Sequence, residues 1–176
     1  IPTNNTISVA SAGKLWLNEA TGSSIANTIT NAGLVDFMQA GSLTVAGTIS
    51  GTGTVIQSGS GATTLTAANT YTGPTSVTAG SLQIGNGSAG SIPTDSTISV
   101  ASAGKLWLNE ATGSSIANTI TNTGLVDFMQ AGSLTVAGTI SGTGTVIQSG
   151  SGATTLTAAN TYTGPTKISA GVLAAG

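Results

Sequence analysis

The segment Gly33-Leu34-Val35-Asp36-Phe37-Met38-Gln39-Ala40-Gly41-Ser42-Leu43-Thr44-Val45 contains the pattern that decides the fold. A glycine is followed twice by apolar residues in alternation, first after Gly33 and again after Gly41. Alternation with a period of two is typical of a β-strand that buries one face. The pattern recurs after Gly13 and Gly80, and no segment shows the period of an amphipathic helix. The sequence therefore predicts an all-β protein.

The spacing of the glycines indicates how the strands are arranged. Gly13, Gly33 and Gly53 follow one another at intervals of 20 residues. Short strands separated by turns are also compatible with a sandwich or a barrel. A constant interval of this size favours a solenoid, in which each coil stacks on the previous one. We therefore predict a right-handed parallel β-helix with about 20 residues per coil and roughly nine coils.

A longer repeat divides the chain into two units. When position n is aligned with position n+91, nine of 85 pairs differ, and the block from Thr6 to Thr75 recurs from Thr97 to Thr166 with one change. We expect residues 1–91 to form the first β-helix unit. Residues 92–176 are expected to form a second, near-identical unit that continues the first one.

The composition argues against several classes of function. With three lysines, no arginine and a net charge of −2, the chain has no basic surface for nucleic acid. It contains neither histidine nor cysteine, the usual ligands of transition metals and partners of catalytic hydroxyl groups. A glycosidase needs two carboxylates close together. Glu19 and Asp36 are 17 residues apart, so stacked coils of about 20 residues could bring them near each other. The two carboxylates are better interpreted as residues on a solvent-exposed face. We therefore expect that the chain is not an enzyme and binds no cofactor.

One segment of each copy carries a recognisable motif. The segment Leu65-Thr66-Ala67-Ala68-Asn69-Thr70-Tyr71-Thr72-Gly73-Pro74-Thr75, followed by Gly80 and Leu82, resembles the passenger-associated repeat of bacterial autotransporters, the type V secretion proteins. The second copy departs from the motif at Ala174 and Ala175, so we expect its last strand either to be weaker or to begin a different coil. The motif positions that we interpret as structural are Asn69, Tyr71, Gly73, Gly80, Asn160, Tyr162, Gly164 and Gly171.

These motif residues lie in a turn-like string. Asparagine readily bonds backbone groups in bends, which is the role expected for Asn69 and Asn160. We interpret the rings of Tyr71 and Tyr162 as lids that pack over a corner of the coil.

The resemblance implies a location and a set of partners. An autotransporter passenger crosses the periplasm, passes through an outer-membrane translocator barrel, and is displayed on the bacterial surface or secreted. Its repeats aid secretion and folding, and its coils pack against neighbouring coils of the same passenger. We interpret the chain as a structural stalk or spacer segment of an adhesin passenger.

The alternative is an adhesive binding module. If Leu15 points inward, strand alternation directs Lys14 and Trp16 outward, and the same holds for Lys105 and Trp107. Exposed indoles are frequent anchors at interfaces, so these residues are candidates for recognising a host glycan, a matrix protein, another passenger or a further copy of this chain. The competing interpretation is that neighbouring side chains cover each tryptophan.

Overall fold

The computed structural model describes residues 5–94 and 96–176, which form strands and turns with no helix among them. It follows that none of these residues belongs to a helix long and apolar enough to cross a membrane. The strands are β1 (Ile7–Val9), β2 (Lys14–Leu17), β3 (Ser23–Ile25), β4 (Ile29–Asn31), β5 (Leu34–Phe37), β6 (Ser42–Val45), β7 (Ile49–Ser50), β8 (Thr54–Gln57), β9 (Ala62–Leu65), β10 (Thr75–Ile84), β11 (Ile98–Leu108), β12 (Ser114–Ile116), β13 (Ile120–Asn122), β14 (Leu125–Phe128), β15 (Ser133–Val136), β16 (Ile140–Ser141), β17 (Thr145–Gln148), β18 (Ala153–Leu156), β19 (Thr166–Ile168) and β20 (Val172–Ala175).

Parallel pairing arranges these strands in three faces that run along a solenoid. Face I holds β1, β4 and β7, and after the junction between the copies it holds β12, β15, β18 and β20. Face II holds β2, β5, β8, the first halves of β10 and β11, β13 and β16. Face III holds β3, β6, β9, the second halves of β10 and β11, β14, β17 and β19. The predicted all-β solenoid is confirmed.

Most coils are within two residues of the predicted length, from 19 between Ala153 and Val172 to 22 between Ile7 and Ile29, and the longest lie where the copies join. Lys14 pairs with Leu34 on the next coil, 20 positions later. At the junction, Thr75 pairs with Ile98 and Ser81 with Lys105, which are 23 and 24 positions apart. Face III accordingly counts eight rungs in the described part of the chain, one fewer than the predicted nine. The longer junction coils account for part of this difference.

The second copy is rotated about the solenoid axis relative to the first. Ile7–Val9 lies on face I, whereas the equivalent Ile98–Val100 lies on face II. Likewise, Lys14–Leu17 lies on face II and the equivalent Lys105–Leu108 on face III. Identical segments therefore occupy neighbouring faces, one third of a turn apart.

The rotation follows from the number of faces that one copy spans. Starting from β1, the chain returns to face I four times before it reaches β11. The first two returns are β4 and β7. The third is at Thr70, whose N–H donates to the Ile49 carbonyl, and the fourth is at Ser91, which forms a parallel bridge with Ala68. It then enters face II at Ile98. A copy of 91 residues thus makes four and one-third turns, so its sequence repeat and its coil repeat do not coincide.

The regular glycines lie where successive coils come closest. A methyl group on Gly33 would overlap the carbonyl oxygen of Gly13, and Gly53 and Gly73 have the same relation to the glycine one coil earlier. The 20-residue series of glycines in the sequence is therefore a stack at one corner. Any larger residue there would push two coils apart.

The interior between the faces is narrow, and it contains polar as well as apolar side chains. Phe37 and Phe128 are fully buried. Asn31 is equally buried at the end of β4, where its Nδ2 donates to the Thr54 carbonyl at 2.9 Å. Its Oδ1 accepts the Gly33 N–H at 3.0 Å. Asn31 thus links the end of β4 to the backbone of Gly33 and to that of Thr54, which lies one coil further on.

We predict that Asn31→Ala destabilises the solenoid. The substitution leaves the Gly33 N–H and the Thr54 carbonyl without this partner, which costs about 2–4 kcal/mol of unfolding free energy. Thr30→Ala is the matched control, because Thr30 is the exposed neighbour on the same strand. Urea unfolding followed by far-UV circular dichroism measures both variants. Equal midpoints for the two would contradict a role of Asn31 in closing the corner.

Candidate functional site

The first candidate surface lies on β2, in the first described coil. Trp16 is 63% exposed and Lys14 is also exposed, whereas Leu17 is buried. The outward orientation agrees with the alternation of the strand. Trp16 pairs with Asp36 on one side, and in the described part of the chain no coil lies on its other side. The large exposure of the indole therefore reflects its position in an end coil.

The equivalent residue in the second copy has a different environment. Trp107 lies on β11, between Gln83 of the preceding coil and Asp127 of the next one, and it is half-buried. Burial raises the pKa of the Asp127 carboxyl, and hydrogen bonds from Ser149 oppose the shift. Lys105 remains exposed.

The two tryptophans do not form one surface. Trp16 is on face II and Trp107 is on face III, because the second copy is rotated by one third of a turn. The sequence suggested two copies of one binding surface. The structure places these copies on different sides of the rod.

The repeat motif forms a corner between faces I and II. Asn69 is buried, and its Oδ1 accepts the Ile49 N–H at 2.9 Å. Its Nδ2 donates to the carbonyls of Ala67 and Ser91, each at 3.0 Å. Asn69 thereby connects three successive coils through their backbones, which is the bend-forming role expected from the sequence.

Tyr71 fills the inside of this corner. The ring is fully buried, and its hydroxyl shares a hydrogen bond of 2.8 Å with Thr75 Oγ1, which is also buried. Burial raises the pKa of Tyr71 to about 12, although the bond to Thr75 opposes the shift. The tyrosine was expected to act as a lid over the corner, but it lies within the core.

Gly80 allows β10 to turn from face II to face III. Its φ of 58° lies in the left-handed region, which side chains larger than hydrogen rarely adopt. A methyl group there would also overlap the carbonyl oxygens of Gly59 and Gly61. Glycine is therefore required at this position for two independent reasons, the left-handed backbone conformation and the close approach of the previous coil.

The second copy repeats this corner at the last described coil. Asn160 accepts the Ile140 N–H at 2.7 Å, and Tyr162 shares a bond of 3.0 Å with Thr166. Gly164 and Gly171 keep the close contacts with the preceding coil, and Gly171 has a φ of 61°. Tyr162 is only half-buried, because no described coil covers it. The last strand, β20, still pairs with β18 over four residues despite its alanines, so the strand is retained.

The carboxylates do not share one environment. Asp36 accepts a hydrogen bond of 2.7 Å from Ser58, and Glu19 is half-buried in the turn after β2. Glu110, the counterpart of Glu19, is only 4% exposed. The difference arises from the linker, in which Gly87 donates to the Asn109 carbonyl at 2.6 Å.

Glu110 lies in a cleft that the sequence did not reveal. The cleft is formed by the corner of the first copy, the linker and the start of the second copy, and is lined by Asn69, Thr70, Thr72, Ser91, Ile92, Pro93, Thr94, Glu110, Ser114 and Ser115. Burial raises the pKa of Glu110 to about 7, and a hydrogen bond with Ser114 opposes the shift. Among residues 5–94 and 96–176, no three acidic, histidine or cysteine side chains are grouped as metal ligands.

A buried polar chain also escaped the sequence analysis. Gln39 Nε2 donates to Thr63 Oγ1 at 2.6 Å, and Thr63 donates to Gln57 Oε1 at 2.5 Å. Gln130, Thr154 and Gln148 repeat the arrangement in the second copy. The signal in the sequence is that the alternation assigns glutamines to the interior, Gln57 and Gln148 within strands, and Gln39 and Gln130 two residues after a strand ends.

Comparison with known proteins identifies the corner segments. The family model described as passenger-associated-transport-repeat matches residues 55–84 and 146–175. The resemblance inferred from the sequence is thus confirmed, and these two segments are repeats of the kind found in autotransporter passengers. The first match runs from β8 through β9 and the corner to the end of β10, and the second runs from β17 through β18 and its corner to the end of β20. No curated protein and no solved structure matches the chain.

We predict that Tyr71→Phe is more destabilising than Tyr162→Phe. Removing the buried hydroxyl of Tyr71 leaves the enclosed Thr75 hydroxyl without this partner, at a cost of about 1–3 kcal/mol. The second bond is exposed to water, so its loss costs less than about 1 kcal/mol. The shift of the urea midpoint measures both effects. Midpoint shifts of equal size would show that burial of the corner does not increase the contribution of this hydrogen bond to stability.

We also predict that the unfolding free energy falls as pH rises from about 4.5 through about 7. Glu110 is held protonated in the folded chain and ionises more readily in the unfolded one, so ionisation favours unfolding. The loss is at most about 3 kcal/mol. Urea midpoints measured across this pH window test the prediction.

Glu110→Gln should flatten this part of the pH profile, because the amide cannot ionise. Glu19→Gln is the matched control, since Glu19 is the half-buried counterpart in the first copy. A pH profile that Glu110→Gln leaves unchanged would assign the dependence to other carboxylates.

Proposed function

We propose, from the passenger-associated transport repeats at residues 55–84 and 146–175, that the chain is a stalk or spacer segment of a surface-exposed autotransporter adhesin passenger. Repeats of this family imply export to the bacterial surface or secretion. In this proposal, the chain crosses the periplasm and passes through an outer-membrane translocator barrel before it folds outside. It holds another part of the passenger away from the cell.

The observation that carries this proposal is the strand pairing across the junction, which continues on both sides of one register shift between Val77 and Ala79. Nine residues of β10 pair with β11, and the ladders of faces II and III continue from one copy into the next. A second copy therefore lengthens the same rod. With about 4.8 Å between strands, each copy of four and one-third turns adds about 21 Å.

The corner segments supply the folding role in this proposal. Asn69 accepts a bond from the coil before it and donates to the coil after it, so a coil is completed only when its neighbour is present. In repeat solenoids, folding can nucleate in one region and propagate from coil to neighbouring coil. We propose that the two corners aid folding on the outside of the cell, and that folding there assists export.

We also propose that the chain is not an enzyme. It has no histidine to activate its many hydroxyl groups. Asp36 is held by Ser58, and Glu110 lies at the junction, in a different environment from that of Glu19. These arrangements support structural roles for the carboxylates.

The adhesive binding module receives less support from the geometry. A binder built from two copies of one site would present Trp16 and Trp107 to the same ligand. The two indoles lie on different faces, and Trp107 is half-buried between Gln83 and Asp127. Lys14 and Lys105 are separated in the same way.

We predict that arrays with additional 91-residue copies grow by about 21 Å per copy in maximum dimension. Small-angle scattering of the two-copy chain beside three- and four-copy arrays measures this growth. A fusion of the chain to an unrelated globular domain of the same added mass is the control. An increase no larger than that of the fusion would contradict a continuous spacer.

A Trp16→Ala/Trp107→Ala double variant separates the spacer from the binder. The spacer predicts unchanged length and no change in attachment to host cells or to a glycan panel. Attachment of the unaltered chain that is lost in the folded double variant would assign an adhesive function instead.

A further inference from the structure

The ladders of faces II and III continue through the junction between the copies, whereas the ladder of face I is interrupted there. Among the described residues, β7 pairs with β4 alone and β12 with β15 alone. Between these strands, the chain passes face I at the corner and at the linker, where an isolated bridge joins Ala68 to Ser91. The cleft that contains Glu110 opens at this interruption and has a volume of about 530 Å³. It lies within the solenoid and involves neither its first nor its last coil.

Hydroxyl groups make up most of the polar lining of the cleft. They belong to Thr70, Thr72, Ser91, Thr94, Ser114 and Ser115. Thr94 and Ser115 are exposed, so the cleft is accessible from the solvent. Ile92 and Pro93 provide an apolar part of the wall. A cleft of this size that combines an apolar wall with a few polar groups is typical of a site for a small molecule.

Glu110 is the acidic side chain among the described residues that line the cleft, and it is almost fully buried. The linker encloses it, because a methyl group on Gly85 would lie 2.9 Å from the Glu110 Cα. The cationic side chains of this protein are three lysines, and none of them lines the cleft. A buried carboxylate without an opposite charge is unfavourable, so burial raises the pKa of Glu110 to about 7.

We propose that this cleft binds a small hydroxylated primary amine, of the class of the amino sugars, with Glu110 as the counter-ion of the ammonium group. An ammonium group has three N–H donors, and the lining hydroxyl oxygens supply acceptors beside the carboxylate. The hydroxyl groups of the sugar bond to the remaining serine and threonine hydroxyls. Its C–H face packs against Ile92 and Pro93. This site is additional to the spacer function and does not depend on it.

The charge of the cleft distinguishes this ligand from other classes. An anion would be repelled by the ionised form of Glu110, and a neutral sugar would leave the carboxylate without an opposite charge. Calcium takes six to eight oxygen ligands, commonly from several carboxylates, and the described lining contains the single carboxyl of Glu110. An ammonium group needs one carboxylate, and a hydrogen bond between two charged groups is about twice as strong as a neutral one.

Binding is expected to release a proton from Glu110. At about pH 6 the amine is charged, and the free carboxyl is mostly protonated because its pKa is about 7. The ion pair requires the carboxylate, so the ligand lowers the pKa of Glu110 and up to about one proton leaves for each ligand bound. Tyr71 in the adjacent corner has its pKa raised to about 12 and stays neutral in this range.

The experiment is an NMR titration of the 176-residue chain with glucosamine at about pH 6. Saturable shifts are expected for the backbone amides of Ser91 and of residues 110–115. Residues 19–24 have the same sequence as residues 110–115 and do not line the cleft, so their amides should not shift. The carboxyl carbon resonance of Glu110 should move to its ionised position. Glucose, in which a hydroxyl replaces the amine, and methylammonium, which lacks the sugar, should each bind at least about tenfold more weakly.

Glu110→Gln keeps the shape of the protonated acid but cannot become a counter-ion. It should weaken the binding of glucosamine at least about tenfold. Glu19→Gln is the matched control, because it makes the same substitution in an identical local sequence outside the cleft. It should leave the affinity unchanged. The resonance of the Glu110 carboxyl is measured on the unaltered chain, so that test does not depend on how the variant folds.

Several outcomes would overturn the proposal. One is the absence of saturable shifts with glucosamine, and another is equal shifts at residues 19–24 and 110–115. Equal affinities for glucose and glucosamine would contradict recognition of the ammonium group, and an equal affinity for methylammonium would contradict recognition of the sugar. A Glu110 carboxyl that stays protonated at saturation, or full affinity in a folded Glu110→Gln variant, would exclude Glu110 as the counter-ion.

Discussion

Parallel backbone pairing between coils is the interaction on which the rest of the structure depends. Each short strand, such as β5, has its N–H and C=O groups satisfied by β2 on one side and by β8 on the other. No coil is complete by itself, and its stability depends on its neighbours. The same dependence makes the rod extensible, because a further coil can pair with the one before it.

Close stacking restricts which residues can occupy the corners. Where coils approach through their carbonyl groups, glycine is required, as the series from Gly13 to Gly73 shows. Where the backbone leaves a strand, buried amides replace the missing ladder bonds, as Asn31 and Asn69 do. The passenger-associated transport repeats are built around one such corner, so their motif describes a way to continue the rod.

The mismatch between copy length and coil length determines what the surface presents. A copy that spans four and one-third turns moves each of its surface residues to the next face. Trp16 and Trp107 are separated for this reason, although their local sequences are identical. A rod of this kind distributes identical segments over different faces, which suits a spacer better than a single binding surface.

The sequence by itself determined the strands, the solenoid, the coil length and the corner motif. These features rest on local alternation, on the spacing of glycines and on motif residues such as Asn69, whose residue type indicates a bend. Only the tertiary structure decided the rotation at the junction, the burial of Glu110 and the interior position of Tyr71. Each of these depends on which coil lies above or below a residue, and identical sequences with different neighbours, such as those around Glu19 and Glu110, acquire different environments.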